Sequence, residues 1–291
     1  MRIVVTGAQG FIGSALTRRL SRDGHQVVAV GRRPRRQALP GVTTVQADCA
    51  IWGWTDLLPG NADLVVHLAQ SPRYGQFPEG AMDVVRVNVD STAELLDWSR
   101  RHGVTRFVLA STATVYQSTS KPLAEDAALV SGNFYAASKL SAEHMARAYG
   151  DHFHVVVARL FGAYGPGQMR GLFRTVIDSV AVGRAVTLAG ERGLSISTLY
   201  IDDCIDALVR LIGLPARKGE TLVNLASDHA VDIRAIAEAA AVALKKEPVF
   251  ERKGGDAPAL VADTARLSAL LGWRPAVSLE DGVARMIGQG T

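Results

Sequence analysis

A glycine turn lies within the first 13 residues of the chain. Residues 6–13, Thr-Gly-Ala-Gln-Gly-Phe-Ile-Gly, carry a glycine at every third position, after the apolar run 3–5 and before a helical pattern through Leu16 and Leu20. A strand that leads into a glycine turn and then a helix brings backbone N–H groups and the helix dipole close to a pyrophosphate. Glycine-rich turns that bind no ligand can have the same sequence pattern. The motif therefore indicates dinucleotide binding only if a βαβ unit follows.

Such a unit does follow. Residues 26–30, Gln-Val-Val-Ala-Val, have the continuous apolar character of a buried parallel strand. Proteins that bind NAD usually carry an Asp or Glu at the end of this strand, where it holds the adenosine ribose hydroxyls. Here Gly31 stands at that point and is followed by Arg32 and Arg33.

These arginines favour a phosphorylated ribose. A charge-assisted hydrogen bond contributes about 1.5–3 kcal/mol, so one well-placed arginine sets a preference of about tenfold to a hundredfold for the 2′-phosphate of NADP. A solvated basic loop is the alternative interpretation. We predict NADP as the favoured cofactor and NAD as the alternative, with Arg32 and Arg33 as contacts and with Arg35 and Arg36 as loop charge only.

The composition excludes several classes of protein. With 291 residues, 48% hydrophobic and 21% charged, the chain can form one large domain or two interleaved ones. The net charge of +4 comes without a long Lys/Arg run, so we expect no nucleic-acid partner. Cys49 and Cys204 lack the spacing of a metal site or a disulfide framework, and no apolar run reaches 18 residues. We therefore expect no metal, no membrane span and no signal peptide, and a cytoplasmic location.

Strands and helices alternate along the first half of the chain. Apolar runs at 42–47, 63–68 and 106–110 predict further strands, and residues 81–102 repeat apolar side chains at helical spacing before Gly103. The alternation predicts an α/β fold with a Rossmann-type doubly wound parallel sheet. Ligands of such sheets lie beyond the carboxyl ends of the strands, so the residues after each strand are candidates for chemistry.

Tyr135 and Lys139 lie four residues apart near the start of a helix that Asn133 is expected to cap and Gly150 to end. This spacing places the phenol and the ammonium on one helical face. A phenol has a pKa of about 10, and a neighbouring ammonium favours the phenolate and lowers that pKa. Such a pair can exchange a proton with an alcohol or a carbonyl while a nicotinamide exchanges the hydride.

Together, these motifs resemble the extended short-chain dehydrogenase/reductases, and among them the NAD-dependent epimerase/dehydratase family, with the sugar-nucleotide 4-epimerases as the nearest pattern. The similarity covers nearly the whole chain. It rests on Thr6–Gly13, His67–Ala69, Asn88, Ser111–Tyr116, Tyr135–Lys139, Arg159–Pro166, Tyr200–Asp203, Val223–Ala226 and Leu271–Pro275.

The resemblance implies roles for the matching residues. Tyr135 would transfer the proton, Lys139 would lower the pKa of that phenol and bind the nicotinamide ribose, and Thr112 would hydrogen-bond the reacting substrate oxygen. Asp48 matches the acid that contacts the adenine. The predicted cofactor contacts are Gly7, Gln9, Gly10, Phe11, Ile12, Gly13, Arg32, Arg33, Asp48, Cys49, Leu68, Ala69, Gln70, Tyr135 and Lys139.

Two conspicuous polar residues are expected to be structural instead. His67 ends a predicted strand, and its imidazole is expected to serve packing. Asn88 lies within the predicted helix 81–102 and is expected to tie that helix to the sheet.

Departures from the family narrow the predicted chemistry. The 4,6-dehydratases follow the catalytic threonine with an Asp-Glu pair and the decarboxylases have a glutamate in this stretch, whereas Ala113 and Thr114 stand here. Enzymes that act on nucleotide-diphosphate sugars usually have Asn at the position of Gly162, and Arg at those of Ile196 and Lys253. Lysine lacks the bidentate grip of arginine, so a standard nucleotide-sugar pocket is in doubt unless these loops are misaligned.

We expect residues 1–165 to form the dinucleotide-binding Rossmann domain, with 199–214 returning to it. Residues 166–291 are expected to form mainly a smaller, interleaved α/β substrate-binding domain. The resemblance implies a homodimer through helices 81–102 and 133–150, although burial within one subunit explains their apolar faces nearly as well.

Three functions agree with these patterns. The first is an NADP-dependent ketoreductase or dehydrogenase that acts on a secondary alcohol or ketone of a sugar-like substrate, and the arginines favour it. The second is an NAD-dependent 4-epimerase of a nucleotide sugar, which the stretch Ser-Thr-Ala-Thr-Val-Tyr at 111–116 favours. The third is a non-catalytic NAD(P)-sensing regulator, which would not need Tyr135 and Lys139.

Overall fold

The computed structural model describes residues 1–34, 38–119, 121–130, 132–215, 217–255 and 257–288. Arg35 and Arg36, which the sequence marks as loop charge, lie outside these ranges. The chain divides into two compact units. Unit 1 consists of Met1–Val115, Leu129–Arg159 and Ile205–Val223, and unit 2 consists of Tyr116–Ala128, Leu160–Cys204 and the chain from Asn224 onward.

The described residues form the following strands and helices. The strands are β1 (Arg2–Thr6), β2 (Gln26–Gly31), β3 (Val42–Gln46), β4 (Leu64–His67), β5 (Arg106–Thr112), β6 (His154–Leu160), β7 (Ala163–Tyr164), β8 (Val186–Ala189), β9 (Ser195–Ser197), β10 (Leu199–Tyr200), β11 (Gly219–Leu225), β12 (Ala230–Asp232), β13 (Phe250–Lys253) and β14 (Ala259–Leu260). The helices are α1 (Phe11–Arg22), α2 (Ala81–Val85), α3 (Ser91–Arg101), α4 (Phe134–Ala148), α5 (Leu172–Ala181), α6 (Ile201–Ile212), α7 (Ile233–Leu244), α8 (Ala265–Leu271) and α9 (Leu279–Gly288).

Unit 1 is built on a seven-stranded parallel sheet in the order β3-β2-β1-β4-β5-β6-β11, which confirms the predicted Rossmann-type fold. The register places Val4 beside Val28 on one side and Val65 on the other. All three side chains are at most 5% exposed. Because helices cover both faces of a parallel sheet, the middle of each central strand is a continuous apolar run, as the sequence of β1 and β2 predicts.

The predicted helix 81–102 is interrupted. Its residues form α2, a π-helical turn at Arg86–Asp90 and then α3. The hydroxyls of Ser91 and Thr92 donate to the carbonyl oxygens of Val87 and Asn88, at 2.6 and 2.7 Å. Such side-chain bonds to the preceding turn compete with the regular ladder and bend helices, and single π turns are frequent at functional sites.

Helix α4 begins where the sequence predicts. The side chain of Asn133 accepts a hydrogen bond from the N–H of Ala136 at 3.1 Å, and the helix ends before Tyr149. An asparagine cap satisfies a backbone donor that the first helical turn leaves unpaired. The face of α4 that carries Ala142 and Ala146 joins the buried core with Phe107 of β5.

Unit 2 contains three small sheets and four helices among its described residues. Strand β9 lies between β12, to which it is antiparallel, and β14, to which it is parallel. Strands β8 and β13 form a parallel pair, as do β7 and β10. Helix α7 packs against both α5 and α9. No helix of the described chain has the length and apolar character that crossing a membrane requires.

The segment Tyr116–Ala128 belongs to unit 2 through a buried polar cluster. The Tyr116 hydroxyl donates to Asn224 Oδ1 at 2.6 Å, and the Asn224 N–H donates to Glu125 Oε1 at 2.9 Å. The Asn224 amide also donates to the carbonyl oxygen of Leu123 at 2.7 Å. One asparagine therefore satisfies groups from several parts of this segment, which explains its complete burial.

Candidate active site

The glycine turn between β1 and α1 has the geometry of a phosphate cradle. Gly7 adopts a φ of +64°, and a Cβ there would lie 2.8 Å from the backbone of Leu68. A Cβ at Gly13 would lie 2.1 Å from the carbonyl oxygen of Gly7. Both positions therefore require glycine. Gly10 precedes α1 without a side-chain cap, so the N–H groups of the first helical turn face a ligand site rather than a capping side chain.

This cradle is one wall of a cavity of about 590 Å³ in unit 1. Most of the predicted cofactor contacts line it, which are Gly7, Gln9, Gly10, Arg32, Arg33, Asp48, Cys49, Leu68, Ala69 and Gln70. The cavity is also lined by six residues that were not predicted as contacts, which are Val30, Gly31, Pro34, Ala47, Pro72 and Val87. Most of these flank strand ends, so adjacency to predicted contacts is the signal that could have found them. A dinucleotide fits a cavity whose walls are a glycine cradle and the ends of parallel strands.

Phe11, Ile12 and Gly13 do not line the cavity. Phe11 and Ile12 form the start of α1, and Gly13 lies beneath the turn. The third glycine thus supports the close approach of helix and turn, which is a packing role.

Cys49 lines the cavity but is a poor nucleophile. Burial raises the pKa of its thiol to about 12, and the charge of Asp48 adds to that effect. The carboxylate of Asp48 accepts a hydrogen bond from the N–H of Ala50 at 3.0 Å, which fixes the turn after β3. At neutral pH the thiol is protonated, so Cys49 can serve the cavity only as a wall.

Tyr135 and Thr112 come together at the carboxyl end of β5. The Tyr135 hydroxyl donates to Oε1 of Gln70 at 2.8 Å, and a hydrogen bond with Thr112 lowers the pKa of the phenol. Gln70 is itself part of the cavity wall. The Thr112 hydroxyl also accepts a hydrogen bond from the N–H of Thr114 at 3.2 Å. Two groups that can exchange or share a proton with a substrate oxygen are therefore side by side.

The pKa of Tyr135 differs from the expectation. Burial raises it to about 12, and the Thr112 hydrogen bond offsets only part of that rise. The lowering that was expected from Lys139 is not found in this structure. Burial of a phenol disfavours its charged form, and this effect sets the direction of the pKa shift. The spacing of four residues on one helix does not by itself predict that direction.

Lys139 is enclosed by other buried polar groups. It is 4% exposed, and burial lowers the pKa of its ammonium to about 8, while the charge of Glu143 raises that pKa. The carboxylate of Glu143 accepts hydrogen bonds from Arg159 at 2.7 Å and from the hydroxyl of Ser111. The sequence gives no role to Glu143, Arg159 or Ser111, although Arg159 and Ser111 lie in stretches that carry the family resemblance. The spacing of four residues between Lys139 and Glu143 was an available signal.

His67 and Asn88 hold the elements around this network. His67 contacts the hydroxyls of Thr6 at 2.7 Å and Thr92 at 3.1 Å, and burial followed by the charge of Lys139 lowers the pKa of its imidazole to about 3. Asn88 accepts from the N–H of Ser71 and donates to the hydroxyl of Ser138, both at 3.0 Å. Asn88 thus ties the π-helical turn to the loop after β4 and to α4, rather than to the sheet itself.

A family comparison agrees with this geometry. The model of the NAD dependent epimerase/dehydratase family matches residues 3–226. The chain belongs to this family. It is therefore an enzyme of the short-chain dehydrogenase/reductase type.

Individual members of the family are similar over nearly the full chain. A probable UDP-glucuronate 4-epimerase of Rhizobium meliloti is 29% identical, with 99% of this chain and 96% of the relative covered. A dTDP-glucose 4,6-dehydratase of Streptomyces antibioticus is 32% identical, with 99% and 91% covered. The crystal structure of UDP-glucuronic acid 4-epimerase from Bacillus cereus in complex with UDP-glucuronic acid and NAD superposes with a TM-score of 0.87 at 26% identity and covers 99% of this chain and 98% of that one.

These comparisons favour the second of the three functions over the first. The relatives include epimerases and dehydratases of nucleotide sugars, and they give no specific support to a ketoreductase. They also give no support to a preference for NADP, since the neighbouring structure contains NAD.

Unit 2 carries the three departures at the expected diphosphate contacts, which are Gly162, Ile196 and Lys253. A Cβ at Gly162 would lie 2.9 Å from the carbonyl oxygen of Ser197, so an asparagine does not fit there without a backbone shift. Ile196 pairs with Val231 and Leu260 on the neighbouring strands. The cross-strand neighbours of residue 196 are therefore apolar, and all three side chains are half-buried. Lys253 ends β13 and is exposed.

Proposed function

We propose that the chain is a nucleotide-sugar 4-epimerase. The observation that carries the proposal is the pairing of Tyr135 with Thr112 beside the glycine-cradled cavity, in a chain whose relatives include a UDP-glucuronate 4-epimerase. When bound, the nicotinamide supplies the hydride acceptor and donor for the sugar carbon. Tyr135 exchanges the proton with the oxygen on that carbon, and Thr112 holds the same oxygen by a hydrogen bond.

The two half-reactions need different forms of Tyr135. A phenol with a pKa of about 12 keeps its proton at neutral pH, which suits donation to a ketone oxygen. Oxidation of the alcohol needs the phenolate. Lys139 is the buried ammonium on the same helix, and its charge is not among the causes that set the pKa of Tyr135 in this structure. We propose that this ammonium stabilises the phenolate formed during the reaction.

We propose NADP as the preferred dinucleotide. The support comes from this chain's own residues, since Gly31 provides no carboxylate for the ribose hydroxyls and Arg32 and Arg33 line the cavity. Asp48 would contact the adenine, and Leu68, Ala69 and Gln70 would pass beside the cofactor. The complex of the Bacillus cereus relative with NAD makes NAD the alternative.

A ketoreductase acting on a sugar-like substrate without a nucleotide is the second candidate. The environment of Ile196 supports it, because an apolar strand pair occupies a position where an arginine would contact a diphosphate. We further propose that unit 2 supplies most of the substrate pocket.

We propose a homodimer through residues 81–102, which include α2 and α3, and through α4. Met82 of α2 is 62% exposed, and the exposed Phe77 contacts Phe134 of α4 with ring centroids 5.0 Å apart. An apolar surface of this kind favours a second copy of the chain. Light scattering on the purified protein should give twice the monomer mass, and Met82→Glu should lower it. A monomeric wild type would overturn the proposal.

One experiment separates the two catalytic functions. Purified protein is incubated with UDP-glucuronic acid or UDP-glucose and a catalytic amount of NADP or NAD, and sugar products are followed by NMR while absorbance reports the reduced nicotinamide. An epimerase accumulates the 4-epimer with no net change in nicotinamide. A ketoreductase gives no epimer but oxidises NADPH stoichiometrically with a ketone substrate. Absence of both reactions, with dinucleotide binding retained, would favour the sensing regulator.

A further inference from the structure

Gln9 joins the glycine turn to the loop after β2. It lies between Gly7 and Gly10, and its side chain reaches Arg33 across the mouth of the cavity. The amide oxygen accepts a hydrogen bond from the N–H of Arg33 at 3.2 Å, and the amide nitrogen donates to the carbonyl oxygen of the same residue. One side chain therefore satisfies both backbone groups of Arg33, and it fixes where the loop leaves the sheet.

The position of the Gln9 side chain, and not the backbone conformation, restricts residue 31 to glycine in this structure. Gly31 is absent from the glycines with positive φ, and it pairs with Gln46 in the regular ladder of β2 and β3. A Cβ at residue 31 would lie 2.7 Å from Cδ and Oε1 of Gln9, and 3.0 Å from Cγ. A residue with a Cβ at position 31 is therefore incompatible with this conformation of Gln9, whose side chain must move and give up its present bonds to Arg33.

A second glutamine supports the neighbouring peptide. Gln46 donates to the carbonyl oxygen of Arg32 at 3.3 Å. Both arginines are exposed along the cavity, and no carboxylate of the described residues forms an ion pair with either guanidinium. The backbone of the loop is thus held while its charges are left for a ligand. An anion at this point gains charge-assisted hydrogen bonds without first displacing a protein carboxylate.

We propose that Gln9 and Gly31 act as a coupled pair that determines the choice at the ribose 2′ position, favouring a 2′-phosphate over a free hydroxyl. The pair excludes the carboxylate that would bind ribose hydroxyls, and it holds Arg33 where a phosphate monoester can reach it. The inference rests on the proposed dinucleotide-binding function. It names the residues that set the preference for a 2′-phosphate, and it predicts that a change at either residue alone weakens dinucleotide binding or reduces that preference.

The test compares six proteins by fluorescence titration with NADPH and NADH. They are the wild type, Gln9→Ala, Gly31→Asp, Gly31→Ala, and the two double variants that combine Gln9→Ala with each change at Gly31. Gly31→Ala is the matched control, since it introduces the same Cβ without a carboxylate. Thermal unfolding of each protein checks that the fold is retained.

Wild-type protein should bind NADPH more tightly than NADH by about tenfold or more, and Gln9→Ala should reduce that ratio several-fold. Gly31→Asp alone should weaken both nucleotides by about tenfold, because the displaced Gln9 crowds the site. Adding Gln9→Ala should restore NADH binding and reverse the preference. The double variant with Gly31→Ala should recover binding without reversal, and the effects should be non-additive.

The outcomes distinguish this inference from the function on which it rests. A wild type that binds neither nucleotide removes the dinucleotide function itself. A wild type that binds NADH as tightly as NADPH overturns the inference and leaves the function intact. Strictly additive effects at the two positions would also overturn it. If the Gly31→Asp protein does not fold, an unchanged nucleotide ratio in Gln9→Ala contradicts the proposed pair.

Discussion

Lys139 and the two arginines after β2 are cations of the same unit, but the protein holds them in opposite ways. Lys139 is 4% exposed, and the charge of Glu143, which forms a buried ion pair with Arg159, acts on its ammonium. Arg32 and Arg33 are exposed, and glutamine side chains hold their backbone rather than their guanidinium groups. Removing one partner of the buried network leaves a charged group that is neither paired nor hydrated, which lowers stability. Removing an exposed arginine of the loop has little effect on stability and changes only the contacts available to a ligand.

Tyr135→Phe tests the chemistry next to the buried network and should have the largest effect. Loss of the hydroxyl removes the proton-transfer group, so turnover should fall by roughly 10²–10⁴ while nucleotide binding is largely retained. Steady-state kinetics and fluorescence titration measure the two quantities. Tyr149→Phe, at the far end of the same helix, is the matched control and should keep its turnover. Unchanged turnover in Tyr135→Phe would remove Tyr135 from the mechanism.

Glu143→Gln tests whether the buried network of Lys139, Glu143 and Arg159 stabilises the fold. The substitution leaves Arg159 and Lys139 as buried cations without their carboxylate, which should lower the free energy of unfolding by about 3–5 kcal/mol. Urea denaturation measures this loss. Asp97→Asn is the control, because Asp97 pairs with Arg100 and Arg101 on the exposed side of α3. The control should cost less than about 1 kcal/mol, and equal losses would break the comparison.

Arg32→Ala combined with Arg33→Ala tests the exposed loop. NADPH binding should weaken by about tenfold to a hundredfold, with a much smaller change for NADH and little change in stability. Separate titrations with the two nucleotides measure the difference. Arg22→Ala removes an exposed arginine of α1 that does not line the cavity, and it controls for net charge. Equal losses for both nucleotides would mean that the arginines do not contact the 2′-phosphate.

His67 makes the buried region sensitive to acid. Its pKa is about 3 in the folded chain, against an ordinary value of 6.5. Below pH 6.5 the unfolded chain therefore binds more protons, and the stability that the neutral imidazole confers is lost as pH falls from 6.5 towards 3. One pKa unit corresponds to about 1.36 kcal/mol, so protonation of this group in the unfolded chain lowers the free energy of unfolding by about 2 kcal/mol at pH 5. Urea denaturation should show that the difference in the free energy of unfolding between wild type and His67→Gln becomes smaller as the pH falls through this range. A difference that does not change with pH would contradict this role of His67.

Much of the buried fold could be predicted from local patterns. The apolar runs of β1, β2, β4 and β5 predict a parallel sheet, because strands covered on both faces have no polar alternation. Asn133 correctly predicts the start of α4 because a cap acts within one helical turn. The division of the helix predicted at 81–102 was missed, since the hydroxyls of its own Ser91 and Thr92 bond carbonyl oxygens of the preceding turn and compete with its regular ladder.

The candidate site was predicted in its parts but not in its electrostatics. Ten of the predicted contacts line the cavity because residues after parallel strands converge at one edge of the sheet. The pKa of Tyr135 moved opposite to the expectation, because spacing along a helix says which side chains share a face and nothing about how much water reaches them.

The sequence alone determined the first five strands, the glycine cradle, and the tyrosine and lysine on one face of α4. These features depend on residues within a few positions of one another. Only the tertiary structure decided that Glu143 and Arg159 pair beside Lys139, and that Gln9 takes the space a side chain at Gly31 would need. The partners in each case come from separate elements, so their contact exists only once the sheet has brought those elements together.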